Sequence, residues 1–331
     1  MKALLTGATG FIGGHVLRAL LEAGAEVRCL VRESSSRRNL EGQPVEAAIG
    51  DLRDFDSLQS AAADCDAVYH CAADYRFYAA DPRELYDSNV EGTRNVMRAA
   101  ARAGASKVVY TSSVGALGLH EDGSPADETA PVSLDDMVGH YKRSKYLAER
   151  VAEQWAAKGL PVVIVNPSAP VGDGDLKPTA TGKMILDFLN RKVPAYVDTG
   201  LNLVDVRDVA LGHILAAEKG KVGEKYILGN RDMTLEQIFQ ALSQITDLPA
   251  PKVKLPHWIP LTFAAIDTGL SKMMKREPGV PLEAVRLSRH RMFFDASKAV
   301  RELGLPQTPV EVPLRRAVEW FRDNGYVKGV S

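Results

Sequence analysis

The sequence predicts an α/β protein, a doubly wound parallel sheet followed by a smaller, mainly helical C-terminal lobe. Two observations predict it. Short apolar runs alternate with amphipathic helical stretches through the first half of the chain, and this alternation breaks down after about residue 167. Strand–helix–strand repeats require right-handed crossovers, which cover both faces of a parallel sheet. The chain is long enough for such a core: 331 residues, 45% apolar and 25% charged, a balance that argues against disorder.

Residues 2–6, 26–31, 45–49, 67–71, 107–111 and 161–166 each read as a strand. The clearest helix between them covers 11–23, where Phe11, Ile12, Val16 and Leu20 share a face and Gly24 stops the run. A second long helical pattern covers 138–158. Beyond it, a Gly- and Pro-rich loop at 168–178 leads to a helix near 182–191, then a strand–helix pair (201–204 and 206–219) and a strand at 225–228. The remainder reads as mainly helical, punctuated by Pro249, Pro251, Pro256, Pro260, Pro278 and Pro281. Because 201–228 reads as a return to the sheet, the expected division is discontinuous. Residues 1–167 and 196–229 form the sheet domain, and 168–195 with 230–331 form the second lobe.

A formal net charge of −1, with no clustered basic stripe, gives no global attraction to nucleic acid or to an anionic membrane, so any basic site must be local. Cys29, Cys65 and Cys71 fit neither a disulfide framework nor a CxxC site and read as small apolar residues in a reducing compartment. Scattered histidines without an HExxH pattern give no reason to expect a metal. The chain opens on a strand-like run with no charged leader, and Pro256, Pro260 and Asp267 break its longest apolar-leaning stretch, 255–274. No integral membrane segment and a cytoplasmic location are expected.

Between the first strand and first helix lies Thr6-Gly7-Ala8-Thr9-Gly10-Phe11-Ile12-Gly13. Gly7 permits a tight turn, Gly10 lets backbone approach a pyrophosphate, and Gly13 lets the helix pack on the sheet, with the helix N-terminus offering N–H groups to phosphate. This strand–turn–helix context predicts dinucleotide binding in a Rossmann domain. The second strand ends in Leu30-Val31-Arg32, where an NAD-binding domain carries an acid for the ribose 2′-hydroxyl. Arg32, with Arg37 and Arg38 close behind, instead suits a 2′-phosphate, so NADP is favoured over NAD.

Tyr141 and Lys145 stand four apart in the 138–158 helix, which stacks them on one face. A neighbouring ammonium favours the phenolate and moves a tyrosine, with pKa about 10 when free, toward acid–base use. The fifth strand ends in Tyr110-Thr111-Ser112-Ser113, at the sheet edge where open α/β folds bind ligands. A serine there can donate to a substrate oxygen as charge develops. Ser113 is assigned this role ahead of Ser112, the simpler reading of either serine being a turn or cap. His140 is read as a local hydrogen-bonding partner of its neighbours rather than a base.

These motifs, together with Gly50-Asp51-Leu52, His70-Cys71-Ala72-Ala73, Asn89-Val90-Glu91-Gly92-Thr93 and Asn166-Pro167, resemble those of the extended short-chain dehydrogenase/reductases over nearly the whole chain. The sequence is most similar to the dihydroflavonol reductase-like branch, and in finer detail to the hopanoid-associated sugar epimerase group. The resemblance implies that Asp51 and Leu52 flank an adenine, that Ala72 and Ala73 line the ribose and pyrophosphate path, that Lys145 also holds the nicotinamide ribose, and that Pro167 lies near the carboxamide. It further implies a structural role for Asn89 and a homodimer joined through the helices bearing NVxGT and YxxxK.

Sugar-nucleotide epimerases of this family show an acid after the second strand and an Arg-Asp-aromatic run near the strand–helix corner of the second half. Here Val31-Arg32 and Leu201-Asn202-Leu203-Val204 stand instead, which fits a carbonyl reductase better; Arg191, Lys192 or Arg289 could still meet a phosphate in the alternative, an epimerase or dehydratase working by internal redox. A non-catalytic nucleotide sensor is the remaining alternative, and the intact Tyr-Lys pair argues against it. The segment 258–274 reads most simply as helix packed on its own lobe, with lining of a pocket for a bulky apolar, terpenoid-like small molecule as the other reading.

Overall fold

The first six strands form where apolar, β-branched runs are bounded by turn residues. They are β1 (Lys2–Thr6), β2 (Glu26–Val31), β3 (Glu46–Ile49), β4 (Ala67–His70), β5 (Lys107–Thr111) and β6 (Val162–Pro167). Between them run α1 (Phe11–Glu22), α2 (Phe55–Ala62), α3 (Arg83–Tyr86), α4 (Gly92–Ala103) and α5 (Gly139–Ala157), with one π turn at Asp87–Glu91. The computed structural model describes residues 1–76, 79, 81–274 and 282–328; Pro278 and Pro281, read above as punctuation, lie outside the described residues.

β7 (Ala169–Val171), α6 (Ala180–Leu189), β8 (Ala195–Val197), β9 (Gly200–Asp205), α7 (Val206–Lys219) and β10 (Lys225–Leu228) follow. The chain continues through β11 (Arg231–Thr234), α8 (Leu235–Thr246), β12 (Val253–Leu255), α9 (Trp258–Met273), α10 (Leu282–Leu287), α11 (Ser297–Leu303) and α12 (Glu311–Asp323).

The main sheet has seven strands in the order β10-β6-β5-β4-β1-β2-β3, and every pairing in it is parallel. This is the doubly wound Rossmann architecture expected from the sequence. Strand order reverses between β1 and β4, which opens the crevice where such sheets take ligands. One face is sealed by α1 and α7, through Val16, Leu17, Leu20, Val209 and Ile214; the other by α2, α4 and α5, through Leu58, Met97 and Ala148. A separate core joins α6, α8 and α12 around Phe188, Phe239, Leu314 and Phe321.

One expectation needs correcting. Residues 201–204 do not return to the main sheet: β9 pairs parallel with β7 and antiparallel with β11 in a three-stranded sheet, and only α7 and β10 rejoin the large one. The Asn202 amide is committed inside the second lobe, donating to the Phe294 carbonyl at 3.0 Å and to Asp232 at 2.8 Å. The second lobe is also less purely helical than expected. β7, β8 and β12 have three residues each and β11 four, too short for an alternation pattern to register.

The glycine turn fixes how α1 meets β1. Gly7 adopts φ +80°, and a Cβ there would sit 2.6 Å from the Ala72 nitrogen; a Cβ on Gly13 would overlap the Gly7 carbonyl oxygen. Both obstacles are backbone and cannot rotate away. Gly13→Ala is therefore expected to cost about 1–3 kcal/mol, read as a lower melting temperature and weaker dinucleotide binding. An unchanged melt would contradict this packing.

Candidate active site

At the end of β1, Thr6, His70 and Thr93 form a buried chain. Thr6 Oγ1 meets His70 Nδ1 at 2.8 Å, and His70 Nε2 meets Thr93 Oγ1 at 3.0 Å. Thr6 Oγ1 also accepts from the Ala72 N–H at 3.2 Å, which draws the 71–73 segment over the glycine turn. Asn39 closes the far side by donating to the carbonyls of Gly10 and Thr9 at 3.1 and 3.3 Å. The α1 N-terminus begins at Phe11 with no side-chain cap and no acid in its first turn. Phe11 and Ile12 are half-buried there, and Gly10 leaves its backbone exposed. An uncapped N-terminus with a positive dipole end behind a side-chain-free turn suits a pyrophosphate, so these residues fit a dinucleotide.

Around the corner where the ribose would lie, Arg32 is exposed just past β2, as are Arg37 and Arg38. Arg38 donates to Asn324 at 2.7 Å. Asp51 holds Arg53 through a two-pronged pair at 2.8 and 2.9 Å; that bonding, with the Arg32 charge nearby, keeps its carboxyl below the usual range. Leu52 is buried against Gly92. Ala73 is half-buried beside Ala72, and Pro167 is buried at the end of β6.

The α5 residues converge on the carboxyl end of β5. Tyr141 hydrogen-bonds the Ser113 side chain; burial raises the phenol's pKa and that bond opposes the rise. Ser113 Oγ also accepts from the Gly115 N–H at 3.0 Å, so the capping reading and the proximity to Tyr141 both hold. Lys145 Nζ donates to the Thr111 carbonyl at 2.9 Å and to the Tyr110 hydroxyl at 3.3 Å, and burial pulls its pKa down to about 8. Ser112 is occupied elsewhere, donating to Glu149 at 2.5 Å. Glu149 is fully buried and also accepts from Asn166 at 2.7 Å, Arg150 at 2.8 Å and Lys225 at 2.9 Å.

Sequence reasoning missed Glu149, although it extends the Tyr141–Lys145 spacing by one more helical turn, and it missed Asn39, Thr6 and His70. Asn89, inside the π turn, is buried and ties the backbone of Asp74 to Ser144. His140 meets the Tyr86 hydroxyl at 3.1 Å. Cys71 lies just past β4, half-buried, with its thiol pushed up to about 12. Among the described residues, no group of histidines, cysteines and acids could hold a metal.

A cavity of about 590 Å³ opens beside the start of α5, lined by Met137, Val138, Gly139, Leu261, Arg286, Arg289 and His290. Of the 258–274 segment, Ala264 and Ser271 are buried and Leu261 lies on this wall, whereas Trp258, Phe263, Ile266 and Met274 are exposed. Arg191 and Lys192 are exposed.

Residues 3–229 match the model of the NAD-dependent epimerase/dehydratase family. The chain belongs to that family. It is an extended short-chain dehydrogenase/reductase, a class of NAD(P)-dependent enzymes acting on carbonyl or CH–OH groups. A candidate dihydroflavonol 4-reductase of Synechocystis sp. is 49% identical over 98% of this chain and 95% of its own. Sterol demethylase protein B of Methylococcus capsulatus is 37% identical over 99% and 100%. The crystal structure of gox2253 matches with a TM-score of 0.89 at 47% identity, covering 99% of both chains.

Burial first, and the Lys145 charge second, push His70 down to about 3. Unfolded histidine binds its proton below about pH 6.5 and the folded site does not, so stability present above that value is lost as pH falls toward 3. His70→Gln is expected to flatten this acid limb in urea titrations across pH. An identical slope would contradict a neutral His70.

Proposed function

We propose that this chain is an NADPH-dependent reductase interconverting a carbonyl and a secondary alcohol on a bulky apolar, terpenoid-like substrate. The observation that carries the reading is the convergence of Tyr141, Ser113 and Lys145 at the β5 edge. When bound, the nicotinamide dinucleotide supplies or accepts the hydride. Tyr141 gives its proton to the substrate oxygen in reduction and recovers it in oxidation. Ser113 Oγ donates to the same oxygen, and the Lys145 ammonium favours the phenolate while holding ribose hydroxyls.

Arg32 at a corner without a competing acid supports NADP. The commitment of Asn202 to its own lobe, where an epimerase would present an arginine, supports a reductase over a nucleotide-sugar enzyme. Leu261 on the cavity wall and the sterol-related relative support an apolar substrate. In this reading residues 1–167 and 196–229, the strand β9 apart, hold the cofactor, 168–195 and 230–331 with β9 hold the substrate, and two copies pair through α4 and α5.

Tyr141→Phe is expected to lower turnover by about 10²–10⁴-fold while NADPH affinity, followed by fluorescence titration, stays nearly unchanged. In wild type the rate falls as pH rises through about 8, where Lys145 loses its charge. Retained turnover in Tyr141→Phe would refute the proton relay, and tighter binding of NADH than NADPH would refute the cofactor assignment.

A further inference from the structure

Helix α9 leaves several large apolar side chains in water. Among the described residues, its covered side carries Ala264 and Ser271, which are buried, Leu261, which is half-buried, and Thr268, whose Oγ1 is buried without a hydrogen-bond partner. Its outer arc carries Trp258, Phe263 and Ile266, which are 65%, 64% and 59% exposed, with the small residues Ala265 and Gly269 between them. Thr262, the one hydroxyl there among the described residues, donates to the Trp258 carbonyl at 2.8 Å. Val253 in β12 and Met274 past the helix end extend the patch, at 55% and 64% exposure. An ordinary surface helix turns its large apolar residues inward, and contiguous apolar exposure of this kind marks an interaction surface.

The charge around the patch indicates what it meets. Lys252, Lys254 and Arg291 are exposed on and beside β12, and Lys254 and Arg291 share one acid, Asp198, at 2.9 and 3.1 Å, in a chain whose net charge is −1. Apolar side chains, including a tryptophan, bordered by lysines match the chemistry of an anionic bilayer surface. Among the described residues no helix is long and apolar enough to cross a membrane, so the contact is parallel to the surface. On its inner side the same helix contributes Leu261 to the cavity beside the start of α5.

We infer that α9 and β12 form a docking surface for an anionic lipid bilayer, placing the cavity beside the start of α5 against the membrane. This goes beyond the reaction proposed above, and the test is independent of turnover. Purified protein is mixed with vesicles of phosphatidylcholine alone or with phosphatidylglycerol added, then sedimented. Binding is expected to the anionic vesicles, to weaken with salt, and to drop at least about tenfold in the Phe263→Ser/Ile266→Ser double variant, whose NADPH affinity serves as the folding control. As a second readout needing no altered core, brominated lipid is expected to quench wild-type fluorescence more than that of Trp258→Phe. Wild type remaining in the supernatant, or binding indifferent to the double variant, would overturn the inference. So would a concentration-dependent dimer abolished by that variant, which would assign the face to a second copy.

Discussion

One buried carboxylate holds the cluster of Tyr141, Ser113 and Lys145 in place. Glu149 has no exposure and accepts hydrogen bonds from Ser112 at the end of β5, Asn166 at the end of β6 and Lys225 on β10, with Arg150 completing the set. A carboxylate so enclosed is tolerated only because charged and neutral donors together satisfy it. The consequence for the site is positional. α5 cannot slide or rotate against the sheet without breaking these bonds, so Tyr141 and Lys145, two turns and one turn earlier on the same helix, keep their height over the β5 edge. Tying up Ser112 leaves Ser113 as the hydroxyl that meets Tyr141.

A second constraint acts across the crevice. Thr6, His70 and Thr93 link the ends of β1 and β4 to α4, and the same Thr6 hydroxyl holds the Ala72 N–H. The glycine turn and the 71–73 segment therefore face each other at fixed separation, with no side chain from Gly7 to fill the gap. The two networks lie on either side of the strand-order reversal: one fixes the glycine turn, the other the height of Tyr141 and Lys145 over the β5 edge.

Much of this was legible in the sequence because it is local. The first six strands, the Gly7–Gly13 turn and the Tyr141–Lys145 spacing each show in a few consecutive residues. What stayed hidden depends on distant partners. Thr6 and His70 are 64 positions apart, and nothing in the run around Asn39 announces that it caps the glycine turn. β9 was misassigned because a strand followed by a helix reads alike in either sheet; pairing with β7 and β11 decides it. For α9, composition showed apolar content but not direction, and only the packed lobe reveals that the large residues point outward.

Burial raises the pKa of the Tyr141 phenol, and the proposed relay requires the Lys145 ammonium, one turn along α5, with a bound dinucleotide to bring it back down. Ultraviolet difference titration of the NADP⁺ complex measures this most directly. A phenolate signal rising well below pH 10, absent in Tyr141→Phe and shifted upward in Lys145→Met, is the predicted result. A titration in which no tyrosine ionises before the ordinary range, or in which Lys145→Met changes nothing, would contradict the account.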